Sequence, residues 1–163
     1  TDEQIRKALA NVQLTDMRMQ LVHGINNVLF INDAYNAAPT SMKAAIEFVS
    51  STTMRSNKWL VLGDMLELGD NEQAFHEQIA ESIDPSIISH VCLYGPRMKA
   101  LYNKLLAKFD VTKLTYSESD YAPIIETIDK NATAESLILV KGSRGMKLET
   151  IINAFTKARL GQK

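Results

Sequence analysis

Val28-Leu29-Phe30-Ile31-Asn32-Asp33-Ala34-Tyr35-Asn36-Ala37-Ala38-Pro39-Thr40-Ser41 is the stretch on which the fold of this chain turns. Four apolar residues, Val28 to Ile31, give way to a loop rich in Asn and Asp, which runs through Pro39 into an Ala-rich helical pattern. Met42, Ala45, Ile46 and Val49 recur there at the spacing that puts them on one helical face. Thr40 or Ser41 is the expected N-cap. A strand, then a polar loop, then a helix places the loop at the carboxyl end of its strand, where open parallel sheets bind ligands.

The alternation continues toward the C-terminus. Lys58 to Leu62 is an expected buried strand, and Asp70 with Gln73 resembles a capping box for a helix through Ile83, with Phe75, Ile79 and Ile83 on one face. Ile87 to Tyr94 is the next strand, and Gly95-Pro96 opens a helix carrying Met98, Leu101 and Leu105. Val111 to Tyr116 leads through Ser117 to a helix with Ile124, Ile125 and Ile128, where Pro123 is tolerated in the first turn. Leu137 to Val140 precedes the loop Lys141-Gly142-Ser143-Arg144-Gly145 and a helix with Leu148, Ile151, Ile152 and Phe155; Lys157 and Arg159 suit its dipole and Gly161 its end.

Toward the N-terminus, Met17 to His23 alternates apolar and polar residues as a half-exposed strand does, and Gly24, Asn26 and Asn27 turn it into the Val28 strand as a hairpin. Thr1 to Val12 is expected to be a short helix, with Ile5, Leu9 and Val12 on one face, acting as a linker or tail of an upstream domain; residues 13–163 form the domain proper. Together these elements predict an α/β fold: a mostly parallel sheet with helices on both faces, right-handed crossovers and an N-terminal hairpin-like strand.

Composition narrows the function classes. The chain has 163 residues, 45% hydrophobic and 23% charged, which fits a folded globular domain rather than a disordered or fibrous one. Eighteen Lys and Arg stand against 19 Asp and Glu, so no surface is built to neutralise a nucleic-acid backbone. The single Cys92 lies in the apolar run Val91-Cys92-Leu93, where a buried inert thiol is expected, and one cysteine forms no disulfide within the chain. No apolar run approaches the roughly 20 residues that span a bilayer, and the polar N-terminus lacks signal-peptide features. A cytoplasmic location is the expectation by elimination.

Three strand-to-helix loops carry more polar groups than a connector needs. Asn32, Asp33, Tyr35 and Asn36 offer a carboxylate for ribose hydroxyls, amides for a purine edge and a ring for stacking; the same residues equally describe turn formers around a packing Tyr. Lys141, Ser143 and Arg144 with two glycines precede a helix start, an arrangement that holds a carboxylate or phosphate, or forms a basic surface turn. Neither G-x-x-x-x-G-K-[ST] nor G-x-G-x-x-G occurs. Asp64, Glu67 and Asp70 are expected to be solvated or capping rather than a metal cluster, so no metal site is expected in this chain. His76 is expected to form a solvent-exposed pair with Glu72, and His23 and His90 have no partner at metal-ligand spacing. Arg18, between Met17 and Met19, is either poised over the Asp33 loop or a plain surface cation.

Four ordered motifs carry a family resemblance: Leu14-Thr15-Asp16-Met17-Arg18-Met19-Gln20, Ile31-Asn32-Asp33-Ala34-Tyr35-Asn36-Ala37-Ala38-Pro39-Thr40-Ser41-Met42, Val61-Leu62-Gly63-Asp64-Met65-Leu66-Glu67-Leu68-Gly69 and Val140-Lys141-Gly142-Ser143-Arg144-Gly145-Met146. They closely resemble the C-terminal domain of the Mur ligases, of the type that adds D-alanyl-D-alanine to UDP-N-acetylmuramoyl-tripeptide during peptidoglycan precursor synthesis. The resemblance implies a Rossmann-like domain of an ATP-dependent amide-bond ligase acting through an acyl phosphate. An N-terminal domain would hold the UDP-sugar, and a central domain would carry the P-loop and bind magnesium. It also implies roles by motif. Arg18 would be catalytic and approach the ATP phosphates, and Asp33 would hold the ribose. Asn32, Tyr35 and Asn36 would surround base and sugar, and Lys141, Ser143 and Arg144 would line the dipeptide pocket with Asp64 and Glu67 nearby. The expected partners are the two substrates and the upstream domains, with no nucleic acid, no membrane insertion and a monomeric protein. Asp16 and Ala38 depart from the family pattern, where Gly and Asn are common. A related ligase with another amino acid or dipeptide, or a stand-alone nucleotide- or carboxylate-binding module, are the alternatives.

Overall fold

In the computed structural model, which describes residues 2–4 and 19–161, six strands form one sheet in the order β1-β2-β6-β3-β4-β5. The strands are β1 (Gln20–His23), β2 (Leu29–Asp33), β3 (Asn57–Gly63), β4 (Ile88–Tyr94), β5 (Leu114–Ser117) and β6 (Ser136–Lys141). The helices between and after them are α1 (Pro39–Ser51), α2 (Glu72–Gln78), α3 (Met98–Leu105), α4 (Ala122–Asn131) and α5 (Glu149–Gly161). Only β1 is antiparallel to its neighbour; β2, β6, β3, β4 and β5 pair in parallel. This is the expected Rossmann-like α/β architecture with its N-terminal hairpin.

Helices cover both faces. Met42 and Ile46 of α1, Ile79 just beyond α2, and Met98 and Leu101 of α3 pack with Leu60, Leu62 and Leu93 on one side. On the other, Ile124 and Ile128 of α4 and Ile151 and Phe155 of α5 pack with Trp59, Val61, Cys92 and Val140. The sidedness follows from topology. From β3 the chain steps outward to β4 and β5, and α4 then returns it to insert β6 between β2 and β3. A reversal of direction with right-handed crossovers moves the connecting helix to the opposite face. At β6 the chain therefore leaves toward one face while β2 and β3 leave toward the other, which opens a crevice at their carboxyl ends.

Interior strands β2 and β6 are buried at every residue, which is why they read as continuous apolar runs rather than alternating ones. The hairpin turn is as expected: Gly24 N–H donates to the Val28 carbonyl at 2.8 Å, and Asn26 and Asn27 take φ of 56° and 62°.

Several boundaries differ from expectation. Strand β2 continues through Asn32 and Asp33, because β6 runs alongside and pairs them with Val140 and Lys141. The N-cap of α1 is Ala38, with Pro39 as the first helical residue. Ser41 closes that cap from inside the helix, its Oγ accepting Ala38 N–H and donating to the Ala38 carbonyl, each at 3.1 Å. Asp70 is not the cap expected of it: Gly69–Asn71 is a single 3-10 turn, the N-cap of α2 is Asn71, and α2 gives way at Ile79–Ser82 to another 3-10 turn. Val111–Lys113 is also a 3-10 turn, so β5 starts only at Leu114. β1 starts at Gln20, and Met19 before it is buried with φ of 49° rather than alternating. Residues 2–4 are helical, and Asp2 pairs with His23 at 2.8 Å. Ile5, Leu9, Val12, Met17 and the side chains of Lys157 and Arg159 lie outside the described residues. Among the described residues no helix is long and apolar enough to cross a membrane.

Burial pushes the Cys92 thiol up to about 12, as expected for an inert core cysteine. His90 is half-buried and stacks on Trp59 with centroids 4.0 Å apart. Desolvation, helped by Lys113, lowers its pKa from 6.5 to about 4. Between those two values the unfolded chain binds a proton that the folded imidazole does not, so this group's stabilisation is complete above 6.5 and is lost as pH falls toward 4. His90→Phe, which keeps the stack, is expected to flatten this part of the acid limb. Urea unfolding of the two proteins on either side of the window measures it.

Candidate functional site

At the crevice beside β6, Asp33 and Lys141 end adjacent strands in register. Lys141 Nζ lies 2.7 Å from Asp33 Oδ2 and donates to the Asn36 carbonyl at 3.1 Å. Both side chains are only 2% exposed. Asp33 Oδ1 accepts the Met19 N–H at 3.3 Å. One carboxylate thus ties the start of β1 to the end of β6, and the lysine secures the loop that leaves β2. Separate roles were expected for these two residues, one on the nucleotide and one on the dipeptide; the structure joins them in a single buried pair.

Around that pair the loop side chains divide by exposure. Asn32 Oδ1 turns back to accept the Ala34 N–H at 3.2 Å, and the side chain is buried. Asn36 is exposed, its Oδ1 accepting the Ala37 N–H at 2.8 Å. Tyr35 is half-buried, and the exposed Arg144 guanidinium sits 5.2 Å from its ring centroid. Tyr35, Asn36 and Arg144 form the solvent-facing rim, with aromatic, amide and cationic groups together.

The loop after β3 is bound into the same edge. Successive backbone N–H groups of Asp64, Met65 and Leu66 donate to the Tyr94 carbonyl at 3.2 Å, His76 Nε2 at 3.0 Å and Ser143 Oγ at 2.8 Å. Ser143 N–H donates back to the Asp64 carbonyl at 3.0 Å. Close backbone approach makes this possible: a Cβ on Gly142 would lie 3.0 Å from Gly63 Cα. The Asp64 carboxylate is fully buried and accepts Met98 N–H at 2.9 Å and Arg97 N–H at 3.2 Å, with Arg97 Nη1 at 3.4 Å. It caps α3 from a neighbouring strand and meets that helix's positive end. Gly95, at φ of 114°, leaves room for it, since a Cβ there would come within 2.3 Å of Asp64 Oδ1. Glu67 is exposed at φ of 63° on the loop's outer turn.

His76 corrects an expectation. It is fully buried rather than paired with Glu72 in solvent, and its Nδ1 lies 2.6 Å from the Glu72 carbonyl. The signal was present in its spacing: Ile79, Ala80 and Ile83 follow it at i+3, i+4 and i+7, and all are buried. Arg97, paired with Glu72 at 2.7 Å as well as with Asp64, and Tyr121, whose hydroxyl donates to the Met146 carbonyl at 2.7 Å, also brace these loops and were not singled out by sequence. Arg18 lies outside the described residues, immediately before Met19. Among the described residues no group of three His, Cys, Asp or Glu is placed to hold a metal ion.

Comparison with known proteins gives this edge a family. The profile described as Mur ligase, glutamate ligase domain, matches residues 17–144. The UDP-N-acetylmuramoyl-tripeptide–D-alanyl-D-alanine ligase of Bacillus subtilis (strain 168) is 39% identical over 158 residues, covering 97% of this chain and 34% of that protein. The protein of the same name in Rickettsia prowazekii (strain Madrid E) is 36% identical over 149 residues, covering 91% of this chain and 32% of that one. Among solved structures, a MurF from Acinetobacter baumannii superposes with a TM-score of 0.72 at 28% identity, covering 94% of this chain and 32% of that one. The MurF ligase of Thermotoga maritima in complex with ADP shares the fold, with a TM-score of 0.74 at 23% identity over 95% of this chain and 34% of its own. The chain thus spans about a third of the length of the relatives it matches. With the profile covering most of its length and the motif loops converging on one sheet edge, this chain belongs to the Mur ligase, glutamate ligase domain family.

Proposed function

We propose that this chain is the C-terminal domain of an ATP-dependent ligase that joins D-alanyl-D-alanine to UDP-N-acetylmuramoyl-tripeptide, with residues 1–12 as the linker from a central domain. The observation that carries the reading is the gathering of Asp33, Tyr35, Asn36, Lys141, Ser143 and Arg144 at one crevice. The 39% identity to a ligase of that name supports it. The protein would work as a cytoplasmic monomer.

In this reading ATP supplies the phosphoryl group that makes the tripeptide carboxylate an acyl phosphate, and the dipeptide amine displaces phosphate from it. The loop after β2 fits a nucleotide: Tyr35 offers a face and Asn36 an amide. Asp33, at the end of β2, would meet the ribose, and Arg18, just before Met19, would act on the transferring phosphoryl group. Ser143 and Arg144 would hold the dipeptide carboxylate. Buried Lys141, Asn32 and Asp64 would hold these loops in place, and Glu67 would stand at the pocket's outer edge. Magnesium and the P-loop would belong to the central domain. Closure of this domain over the central one would bring amine and acyl phosphate together in a water-poor site.

Arg144→Ala in the complete ligase is expected to raise the D-alanyl-D-alanine KM about tenfold, the loss of one charge-assisted hydrogen bond. Steady-state kinetics with a panel of amino acids and dipeptides tests both points. A preference for another acceptor would replace the assigned substrate, and an unchanged KM would remove Arg144 from the pocket.

A further inference from the structure

His76 sits behind the candidate site on α2 and touches no solvent. Its two ring nitrogens meet partners of opposite kind. The Glu72 carbonyl, 2.6 Å from Nδ1, can only accept; the Met65 N–H, 3.0 Å from Nε2, can only donate. The ring is therefore the neutral tautomer with its proton on Nδ1 and a bare Nε2.

The bond to Met65 matters because of its neighbours. Asp64, Met65 and Leu66 send consecutive N–H groups to three different elements: the end of β4, the His76 ring and Ser143 Oγ. His76 supplies the middle anchor. Leu66 and the Asp64 carbonyl, one residue to either side, are the two groups that hold Ser143, at 2.8 Å and 3.0 Å. With one lone pair of the Ser143 hydroxyl taken by the Leu66 N–H, the hydroxyl's own proton remains to be donated. Among the described residues it has no acceptor in the protein. A ligand carboxylate or acyl oxygen is an acceptor of the right kind.

We propose that His76 is a positioning residue: as a neutral Nδ1–H imidazole it anchors Met65, and through Leu66 it orients the Ser143 hydroxyl as a donor toward the acceptor substrate. The inference rests on the reading of Ser143 as a dipeptide contact. Losing Nε2 leaves the buried Met65 N–H without a partner, and the strand-to-helix loop then moves to find one. Binding of the dipeptide suffers, while Tyr35 and Asn36, on the loop after β2 across β6 from His76, keep their own bracing by Asp33 and Lys141.

The test uses the complete ligase with His76→Phe, which keeps ring volume without the acceptor, and His76→Gln, whose amide oxygen replaces Nε2. His76→Phe is expected to raise the D-alanyl-D-alanine KM about tenfold or more, the effect of one unpaired buried donor, with the ATP KM within about twofold. His76→Gln is expected to restore the dipeptide KM to within about threefold of the parent. Equal rises in both KM values, an unchanged dipeptide KM in His76→Phe, or no rescue by Gln would each overturn the proposal. If His76→Phe does not fold, the Gln variant and ring nitrogen NMR of the histidine-labelled parent decide. The proposal requires a protonated Nδ1 and a bare Nε2 in the resonance that disappears in His76→Gln, and a proton on Nε2 would overturn it. A parent enzyme that does not use D-alanyl-D-alanine at all would instead defeat the substrate assignment, and the NMR result would still stand on its own.

Discussion

Lys141→Met is expected to destabilise the chain by about 3–5 kcal/mol, because it breaks a buried ion pair by removing the ammonium 2.7 Å from the Asp33 carboxylate. Both partners are 2% exposed, so no solvent takes over the lost neutralisation. Adding Asp33→Asn should recover much of the loss: the amide is neutral, and its oxygen can still accept from Met19. Equilibrium urea unfolding of the parent, the two single variants and the double variant gives the coupling directly. Strongly non-additive losses are the expected result, and simple additivity would show that the pair contributes only as two independent side chains. Activity of the complete enzyme should not return with stability, since the double variant lacks both the carboxylate proposed to meet the ribose and the ammonium that orders Asn36.

The second large effect is kinetic. Arg18→Ala in the complete ligase is expected to lower kcat about a hundredfold, the scale for removing one preorganised donor from a site where charge develops, with a much smaller change in dipeptide KM. Charge accumulates as phosphoryl leaves ATP and again as phosphate leaves the acyl centre, so a guanidinium there acts mainly on the transition state. Arg18→Lys should restore only part of the rate, because an ammonium lacks the planar two-point fork. Measuring kcat and each KM for the three proteins checks the assignment; a change confined to KM would make Arg18 a plain binding group.

The sheet was legible because its interior strands are parallel and covered twice. Leu29-Phe30-Ile31 and Trp59-Leu60-Val61-Leu62 have no polar face to show, so an unbroken apolar run followed by a polar loop gave them away. What stayed hidden depended on partners distant in sequence. Asn32 and Asp33 look like loop residues, yet they belong to β2 because Lys141, 108 positions away, neutralises Asp33 within the ladder. Asp64 looks like a solvated loop acid but caps α3 across 34 positions, a role that nothing local announces. Ser41 and Asp70 show the limit of capping patterns: residue type marked where helices begin, while Pro39 and the 3-10 turn at Gly69 moved the start. His76 is different, since its place on the Ile79, Ala80, Ile83 stripe was readable and was outweighed by its polarity.

The same limit shaped the candidate site. Motif resemblance located the loops that meet at the crevice, but not the division of labour within them. The buried members Asp33, Lys141, Asn32 and Asp64 hydrogen-bond to protein, while Tyr35, Asn36, Glu67 and Arg144 reach solvent. Arg97 and Tyr121 brace the edge from α3 and the start of α4, elements that carry no family motif.

The central claim is that this chain forms one wall of a ligase active site and needs the other domains to complete it. Phosphate release measured on the complete protein and on residues 1–163 alone tests it most directly. The account predicts release by the complete protein that depends on ATP, UDP-N-acetylmuramoyl-tripeptide and D-alanyl-D-alanine together, and none by the isolated chain. Robust turnover by residues 1–163 alone, or release by the complete protein that ignores the dipeptide, would contradict it.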